Sequence, residues 1–250
     1  MYIRNNINHK SIKMKKLLIL LFALGVSKVN AQYYYIMYVS VEAEHAQEFE
    51  RKEMSYWSKV AKSNIDKGKQ NLWGLFRKVG TSGNNEVNYA FVNGFPSLAD
   101  MTNQNWDPSA LGGIDPEDAA STYNVYEVHN YKILESIPGK ESKYSVWNYG
   151  RPKNLNGFIS ENRNLWMPQH KKNIKNGSTG MTNWGMGFKL YPAGQDESTV
   201  MTWDGYDKLE DAFKAFDGSN WTPPKNSKMS EYDPDGFRLS VIWERLMSVQ

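Results

Sequence analysis

Short segments of β-branched and aromatic residues alternate along this chain with longer segments in which apolar residues recur every three or four positions. Residues 33–41 show the first pattern and predict a strand. Residues 44–67 show the second pattern and predict a helix that ends before Gly68. One apolar stripe runs along this helix at Phe49, Trp57, Ala61 and Ile65. The pattern from residue 33 onward is therefore a strand followed by an amphipathic helix.

Four more elements complete the first half of the chain. Two strands, 72–79 and 87–95, are predicted on either side of a loop rich in glycine and asparagine. A short helix is expected to begin at Ser97, whose hydroxyl can cap it, with Asp100 at the capping-box distance. A last strand is predicted over 125–134. The element order is β-α-β-β-α-β.

The same order returns in the second half of the chain. The segment around Trp57 matches the segment around Trp166 at a constant offset, and a slightly larger offset then matches Trp73 with Trp184. The matches keep their order along the chain, so we interpret it as one α+β unit written twice. The predicted elements of the second unit are strand 144–149, helix 155–176, strands 183–191 and 199–206, helix 208–216 and strand 237–244.

The order β-α-β-β-α-β is that of the ferredoxin-like split βαβ unit, in which helices cover one face of an antiparallel sheet. The other face also needs cover, because both alternating sets of residues are largely apolar in 87–92 and 199–203. Two such sheets in one chain can cover each other. We predict an α+β fold of two ferredoxin-like repeats, residues 32–137 and 138–250, packed sheet to sheet as a single-chain pseudo-dimeric α+β barrel.

In element order, duplication and local sequence the chain resembles the dimeric α+β barrel superfamily, which includes antibiotic-biosynthesis-monooxygenase-like and NIPSNAP-like domains. The local likeness lies in residues 73–78, Trp-Gly-Leu-Phe-Arg-Lys, before a strand and a short helix. The resemblance implies a lumen between two sheets, which often serves as a pocket in such proteins. Members range from cofactor-free monooxygenases and haem enzymes to proteins of no known activity. No catalytic motif matches, so the resemblance implies a fold and not a function.

The first 31 residues have the pattern of a secretory signal peptide. They contain six basic and no acidic residues, an apolar run over 17–26, and small or medium residues at 29–31. About ten apolar residues are too few to span a bilayer, which needs roughly 20. We predict cleavage after Ala31 and export to the periplasm or beyond, with an uncleaved anchor as the alternative. Either Met1 or Met14 is the start.

Removal of this segment changes the charge of the protein. The whole chain has 30 basic and 27 acidic residues, whereas residues 32–250 have 24 and 27, a net charge of −3. The mature protein thus has no basic excess that would indicate nucleic acid or an anionic membrane as a partner. We expect no stable membrane insertion after cleavage. The chain has no cysteine, which excludes disulfides, and its oligomeric state is left open.

The first strand of the second repeat leads to three candidate ligand-binding residues, Trp147, Tyr149 and Arg151. The offset that aligns the long helices places Tyr38 and Ser40 of the first repeat where Trp147 and Tyr149 fall. Aromatic residues that are not repeated and lie beside an arginine are typical of a lumen specialised for a flat or anionic ligand. Tyr38 is the candidate on the first repeat's side. Ordinary sheet packing is the alternative.

His129 is the fifth candidate, on a predicted strand where it can face the lumen and serve as a base or a haem ligand. The alternative is a buried structural histidine. His170 replaces Ala61 of the first repeat on the apolar stripe of the long helix, and we expect it to pack there. No two histidines have the spacing of metal ligands, so no metal site is predicted. No cofactor is predicted either, with haem as the alternative.

Three hypotheses on function remain. The first is binding of a small, partly apolar ligand between the two sheets. The second is an enzyme that uses the same pocket, a cofactor-independent or haem-assisted oxygenase with unassigned catalytic residues. The third is an interaction protein with a filled lumen and a contact surface on the loops of Trp106 and Trp221. A titratable group facing inward favours the second hypothesis, and a lumen packed shut favours the third.

Overall fold

The computed structural model describes residues 32–81, 86–218 and 222–250. The predicted signal peptide, its cleavage site and Trp221 lie outside the described residues. The described residues from Gln32 to Gln250 form one compact unit, so the two predicted repeats are halves of a single body. Among the helices that the structure describes, none combines the length and the apolar character needed to cross a membrane.

The first repeat contains the six predicted elements and two further short helical turns. Its strands are β1 (Tyr33–Ser40), β2 (Leu72–Lys78), β3 (Tyr89–Phe95) and β4 (Asn124–Ile137). Its helices are α1 (Ala46–Lys52), α2 (Ser58–Asp66), α3 (Leu98–Thr102) and α4 (Pro116–Ala119), with a 3₁₀ turn at Pro108–Leu111. The Ser97 hydroxyl accepts a hydrogen bond from the Asp100 amide at 3.1 Å, which confirms the predicted cap of α3.

The second repeat has the same order. Its strands are β5 (Tyr144–Gly150), β6 (Met181–Tyr191), β7 (Val200–Tyr206) and β8 (Phe237–Val249). Its helices are α5 (Leu155–Glu161), α6 (Met167–Asn176), α7 (Leu209–Asp217) and α8 (Met229–Tyr232). The predicted elements are present in both repeats, and their bounds differ from the predicted ones by a few positions because strand ends continue into pairing that local sequence does not indicate.

A π-helical turn interrupts the long helix of each repeat at the same place. Glu53–Trp57 lies between α1 and α2, and Asn162–Trp166 lies between α5 and α6. The two turns occupy matching positions in the aligned helices. A π-helical turn adds a residue to the helix and rotates the next α-helical segment, and such turns are frequent at functional sites. Each turn ends at the repeated tryptophan, Trp57 or Trp166.

The eight strands form one closed barrel in the order β1-β3-β2-β8-β5-β7-β6-β4. Each repeat contributes four antiparallel strands, and the contacts β2–β8 and β4–β6 join the two repeats. The predicted sheet-to-sheet packing is thus realised as a continuous barrel without an edge strand. Closure of this kind leaves no unpaired strand edge open to another chain.

The pairing register shows how the two repeats correspond. Tyr33 pairs with Phe95 in the first repeat, and Tyr144 pairs with Tyr206 in the second. Tyr144 is therefore the counterpart of Tyr33, at the larger of the two offsets seen in the sequence. The smaller offset that aligns the helices does not extend to the first strands, and that part of the alignment is wrong. Tyr149 is the counterpart of Tyr38, and the counterpart of Trp147 is Ile36.

Side chains alternate between the barrel interior and the outer face that the helices cover. The interior cluster contains Tyr38, Tyr131, Trp147, Tyr149 and Trp243. Two outer clusters, one for each repeat, pack under the long helices and contain the repeated tryptophans Trp73 and Trp184. The protein therefore has one core inside the barrel and one between helices and sheet in each repeat.

Candidate functional site

Four of the five predicted site residues meet inside the barrel. The Tyr38 and Tyr149 hydroxyl oxygens are 2.7 Å apart, the His129 ring lies edge-on to Tyr38 at 5.0 Å, and the Tyr38 and Trp147 ring centroids are 6.4 Å apart. All four are buried. The barrel brings them together even though the strand alignment used to select Trp147 and Tyr149 was wrong. Their part in binding a ligand stays a prediction.

Aromatic rings occupy the interior around these residues. Trp147 lies 4.9 Å from Trp243 and 5.3 Å from Phe76, centroid to centroid. Trp203 lies across Gly185 so closely that a Cβ atom there would be 1.9 Å from the indole ring. Such close approach fills the interior with side chains. Aromatic side chains therefore pack closely in the barrel interior around Trp147 and Trp203.

Arg151, the fifth predicted residue, lies at the rim of the barrel. Its guanidinium donates hydrogen bonds to the backbone carbonyl oxygens of Gly194 and Glu197, the latter at 2.8 Å. These bonds fix the loop between β6 and β7. Arg151 is therefore committed to the backbone, and the structure does not bring it against the buried aromatic residues as an anion-binding group.

A cavity of about 490 Å³ lies between the helices and the outer face of the sheet in the second repeat. Its volume is within the usual range of small-molecule sites, about 300–1,000 Å³. Aromatic and apolar side chains form most of its wall: Val146, Phe158, Trp166, Trp184, Ala215, Phe216, Met229 and Phe237. The polar and titratable wall residues are Asn148, Asn162, His170, Thr202, Asp204, Asp233 and Ser240. This cavity offers space for a ligand.

The polar side chains on the sheet side of the cavity form a connected floor. Nδ2 of Asn148 donates to Oδ2 of Asp204 at 2.9 Å and lies 3.3 Å from the Thr202 hydroxyl. The Ser240 hydroxyl donates to Oδ1 of Asn148 at 2.6 Å. These residues come from β5, β7 and β8, whose alternation turns them outward while Trp147 points into the barrel. Three adjacent strands thus place the polar floor under an aromatic wall.

Burial shifts the pKa values of the two central titratable groups in opposite directions. Desolvation raises the pKa of the Asp204 carboxyl to about 7, against a lowering effect of the Asn148 hydrogen bond. Desolvation lowers the pKa of His170 to about 4. Near neutral pH, His170 is therefore an uncharged imidazole, and Asp204 exchanges its proton with little free-energy difference between its two forms. Such groups can donate or accept hydrogen bonds and transfer protons.

His170 lies between the two repeated tryptophans of its own repeat. Its ring stacks on Trp184 with centroids 5.1 Å apart and an angle of 28°, and it lies 5.9 Å from Trp166. Only 2% of its surface is exposed. This agrees with the packing role predicted from the apolar stripe. It also places an imidazole on the cavity wall, which the sequence did not indicate.

The corresponding region of the first repeat is filled. Phe91 stands where the second repeat has Thr202, and Ala61 stands where it has His170. The rings of Phe49, Phe91 and Tyr123 lie within 6 Å of one another in this region, with centroid distances of 5.8, 5.8 and 5.9 Å. Thr202 is smaller than its counterpart Phe91, so it leaves space in the second repeat, and its hydroxyl adds a polar group there. The cavity is therefore a specialisation of the second repeat.

Sequence reasoning missed the cavity floor. Asn148, Thr202 and Asp204 are polar residues in largely apolar strands, and they belong to no motif. A signal existed in the repeat itself, because Thr202 is polar where its counterpart Phe91 is aromatic. That signal was available from the sequence, since the offset that matches Trp73 with Trp184 also matches Phe91 with Thr202.

Solved structures of other proteins share this fold. No protein-family model matches the chain, and no curated protein matches it. Among solved structures, a candidate monooxygenase from Lactobacillus acidophilus is similar with a TM-score of 0.53 and 11% identity, covering 88% of this chain and 96% of its own. Two further similar structures are a chlorite dismutase variant and a haem-binding protein.

The chlorite dismutase variant is from Candidatus Nitrospira defluvii and has a TM-score of 0.51 and 11% identity, with 86% of this chain and 90% of its own covered. The haem-binding protein is from Thermus thermophilus and has a TM-score of 0.52 and 11% identity, with 87% and 92% covered. Identity this low carries the fold alone. The chain has the dimeric α+β barrel architecture that the sequence predicted.

Proposed function

We propose that this chain is an exported protein that binds a small, partly apolar molecule in the cavity of its second repeat. The observation that carries the proposal is Asp204, a carboxyl group buried at the floor of an aromatic cavity of about 490 Å³. A buried carboxyl group weakens a fold unless another requirement retains it. The filled counterpart in the first repeat supports the same conclusion, since the fold does not need the cavity.

The wall of the cavity indicates the chemical class of the ligand. Its acidic groups are the carboxyl groups of Asp204 and Asp233, and within the described part of the chain no lysine or arginine lines it. An anionic ligand would meet repulsion without a compensating cation. The expected ligand is a neutral or cationic molecule, with an apolar or aromatic body against the ring-lined wall and a hydrogen-bond donor directed at Asp204.

Haem is suggested by one of the similar structures, a haem-binding protein. The wall residues do not fit it. His170 is a neutral imidazole that could serve as a ligand of the iron, but the two propionates of haem would meet acidic side chains and no lysine or arginine among the described wall residues. We therefore assign no role to haem, and an absorbance spectrum of the purified protein tests this point directly.

Catalysis is the second candidate function. It is favoured by His170 and Asp204, which line the same cavity. The pKa of His170 is lowered to about 4, and the pKa of Asp204 is raised to about 7. A pair of this kind can move a proton on a bound substrate without a metal or a prosthetic group. This candidate shares its cavity with the binding function, so a test of binding comes first.

The binding test uses N-phenyl-1-naphthylamine, a neutral aromatic amine whose fluorescence rises in an apolar site. We expect saturable binding to the purified protein. Thr202→Phe places the first repeat's side chain in the cavity and is expected to weaken binding at least tenfold. Thr102→Phe, the same substitution on the exposed surface of α3, is the control. Equal binding by both variants, in samples with unchanged melting temperature, would refute the proposed site.

Native mass spectrometry and a UV-visible spectrum of the same preparation complete the test. A retained molecule appears as excess mass over the calculated chain, and its identity then names the ligand. A Soret band would overturn the exclusion of haem. Export is tested separately by measuring the N-terminus of the protein recovered outside the cytoplasm, which is expected to be Gln32.

A further inference from the structure

Three side chains with metal-ligating atoms meet at the rim of the barrel, away from the cavity of the second repeat. Glu127 and His129 are on β4, and Glu197 is on the loop between β6 and β7. One ligand atom from each lies within 4.8 Å of the other two. The cluster joins two segments from different repeats, far apart in the sequence, which explains why histidine spacing along the chain did not indicate it.

The contact between His129 and Glu127 places two potential ligand atoms side by side. Nε2 of His129 lies 2.7 Å from Oε1 of Glu127, yet it is buried and makes no hydrogen bond of normal geometry with any described residue. A nitrogen and an oxygen that bind one zinc ion at about 2.1 Å are roughly 3.0–3.4 Å apart. The observed 2.7 Å is shorter than that range, so the two side chains would move apart by a few tenths of an ångström to hold an ion between them.

The other ring nitrogen of His129 already has a partner. Nδ1 lies 3.1 Å from the Tyr131 hydroxyl, and Tyr131 is fully buried in the barrel interior. Histidines that bind metals usually make a hydrogen bond through the second nitrogen, which fixes the ring orientation. Tyr131 therefore holds the imidazole with Nε2 directed at the two carboxylates.

Two cations flank the cluster. The Lys189 ammonium lies 2.5 Å from Oε2 of Glu197, and its side chain is almost fully buried. Arg151 holds the loop that carries Glu197 through the backbone carbonyls of Gly194 and Glu197. Because a carboxylate has two oxygens, Glu197 can keep Lys189 on Oε2 and offer Oε1 to an ion. Lys189 then acts as a competitor that weakens metal binding without blocking it.

We propose that Glu127, His129 and Glu197 form a binding site for a divalent transition-metal ion, with zinc as its representative. One imidazole and two carboxylates suit zinc, iron or manganese, whereas a histidine ligand is atypical for calcium and magnesium. Three protein ligands leave at least one coordination position for water or another molecule. This inference does not depend on the proposed function of the cavity, since the two sites share no residue.

The test uses Zn²⁺ in isothermal titration calorimetry and Co²⁺ in visible absorption spectroscopy on metal-free purified protein. We expect one ion per chain and the d–d bands of a low-symmetry Co²⁺ site. His129→Ala and Glu197→Gln are each expected to weaken binding at least tenfold. Glu197 lies partly exposed at the rim, so Glu197→Gln keeps the test valid even if the buried histidine is needed for folding.

Two further variants separate a built site from adventitious binding. His45→Ala removes the partly exposed histidine of a second group, Glu42, Glu44 and His45, and is expected to leave the rim affinity unchanged. Lys189→Met removes the competing ammonium and is expected to tighten binding about tenfold, an effect that structural damage would not produce. No binding by the parent protein, binding abolished by His45→Ala, or unchanged affinity in both His129→Ala and Glu197→Gln would each overturn the proposal.

Discussion

The hydroxyl oxygens of Tyr38 and Tyr149 lie 2.7 Å apart inside the barrel, and the two residues occupy the same position in the two repeats. A contact between counterparts places the local two-fold axis of the barrel between these oxygens. Both rings are buried, and desolvation raises the pKa values of both hydroxyls. Both groups therefore keep their protons across the physiological range and bind each other as neutral partners.

The two tyrosine hydroxyls are expected to be coupled in their contribution to stability. Tyr38→Phe and Tyr149→Phe each remove one hydroxyl and leave the other buried with one partner fewer, which should cost about 1–2 kcal/mol of unfolding free energy. The double variant should cost less than the sum of the two, because the second substitution removes a hydroxyl that has already lost its partner. Urea unfolding of the four proteins measures the coupling, and strict additivity would contradict it.

Asp204 is expected to make the protein less stable as pH rises. Its pKa is raised from 3.8 to about 7 in the folded state, so between these values the folded chain holds a proton that the unfolded chain has lost. The stabilisation from this proton is present at low pH and disappears as pH passes 7. Asp204→Asn should therefore gain stability relative to the parent protein between pH 4 and 7, by at most about 4 kcal/mol. Asp118→Asn, at an exposed position, should show no such change when both are measured by thermal unfolding.

His170 should have the opposite pH dependence. Its pKa is lowered from 6.5 to about 4, so the unfolded state takes up a proton first as the pH falls. Stability attributable to the neutral imidazole is complete above pH 6.5 and is lost between that value and pH 4. His170→Gln, which does not titrate, should lose less stability than the parent protein when the pH falls from 7.5 to 4.5. Identical losses in chemical unfolding would show that the imidazole is not buried in a neutral form.

The packed barrel interior leads to a fourth prediction. A methyl group at Gly185 would lie 1.9 Å from the Trp203 ring, whereas one at Gly194 meets only the flexible Glu197 side chain at 3.4 Å. Gly185→Ala should therefore cost about 1–3 kcal/mol through displacement of the indole. Gly194→Ala should be close to neutral. Tryptophan fluorescence during denaturant unfolding provides the measurement, and equal effects of the two substitutions would argue against a filled interior.

The fold and the duplication could be predicted because the sheet of each repeat must bury both of its faces, which leaves the same apolar pattern in both halves of the sequence. The apolar stripe of Phe49 and Trp57, together with its copy in the second repeat, was enough to predict the long helices. The π-helical turns could not be predicted, since no local residue pattern distinguishes Glu53–Trp57 from α-helix. The register of the first strands was wrong because the loop before the long helix is slightly shorter in the second repeat, so strand and helix do not share one offset.

The candidate site was less accessible to sequence reasoning. His129, Tyr38, Trp147 and Tyr149 were expected in one place, and they lie together because alternation along a strand determines which side chains share a face. Whether that place is empty depends on how rings such as Trp203 lie across a neighbouring strand, which is a property of three-dimensional packing. The cavity depends on the polar floor around Asp204, whose members become neighbours only when β5, β7 and β8 pair.

The symmetry of the strand pairing has a consequence for chain connectivity. Ile137 at the end of β4 pairs with Trp184, and Val249 at the end of β8 pairs with its counterpart Trp73. By this symmetry, the separation that residues 138–143 bridge from β4 to β5 should be similar to that from the end of β8 to the start of β1. A circularly permuted chain that begins at β5 and joins β8 to β1 with a copy of this connector should reach the same barrel. The position of this one connector thus decides which repeat comes first in the chain. The strand order of the barrel is the same in either case.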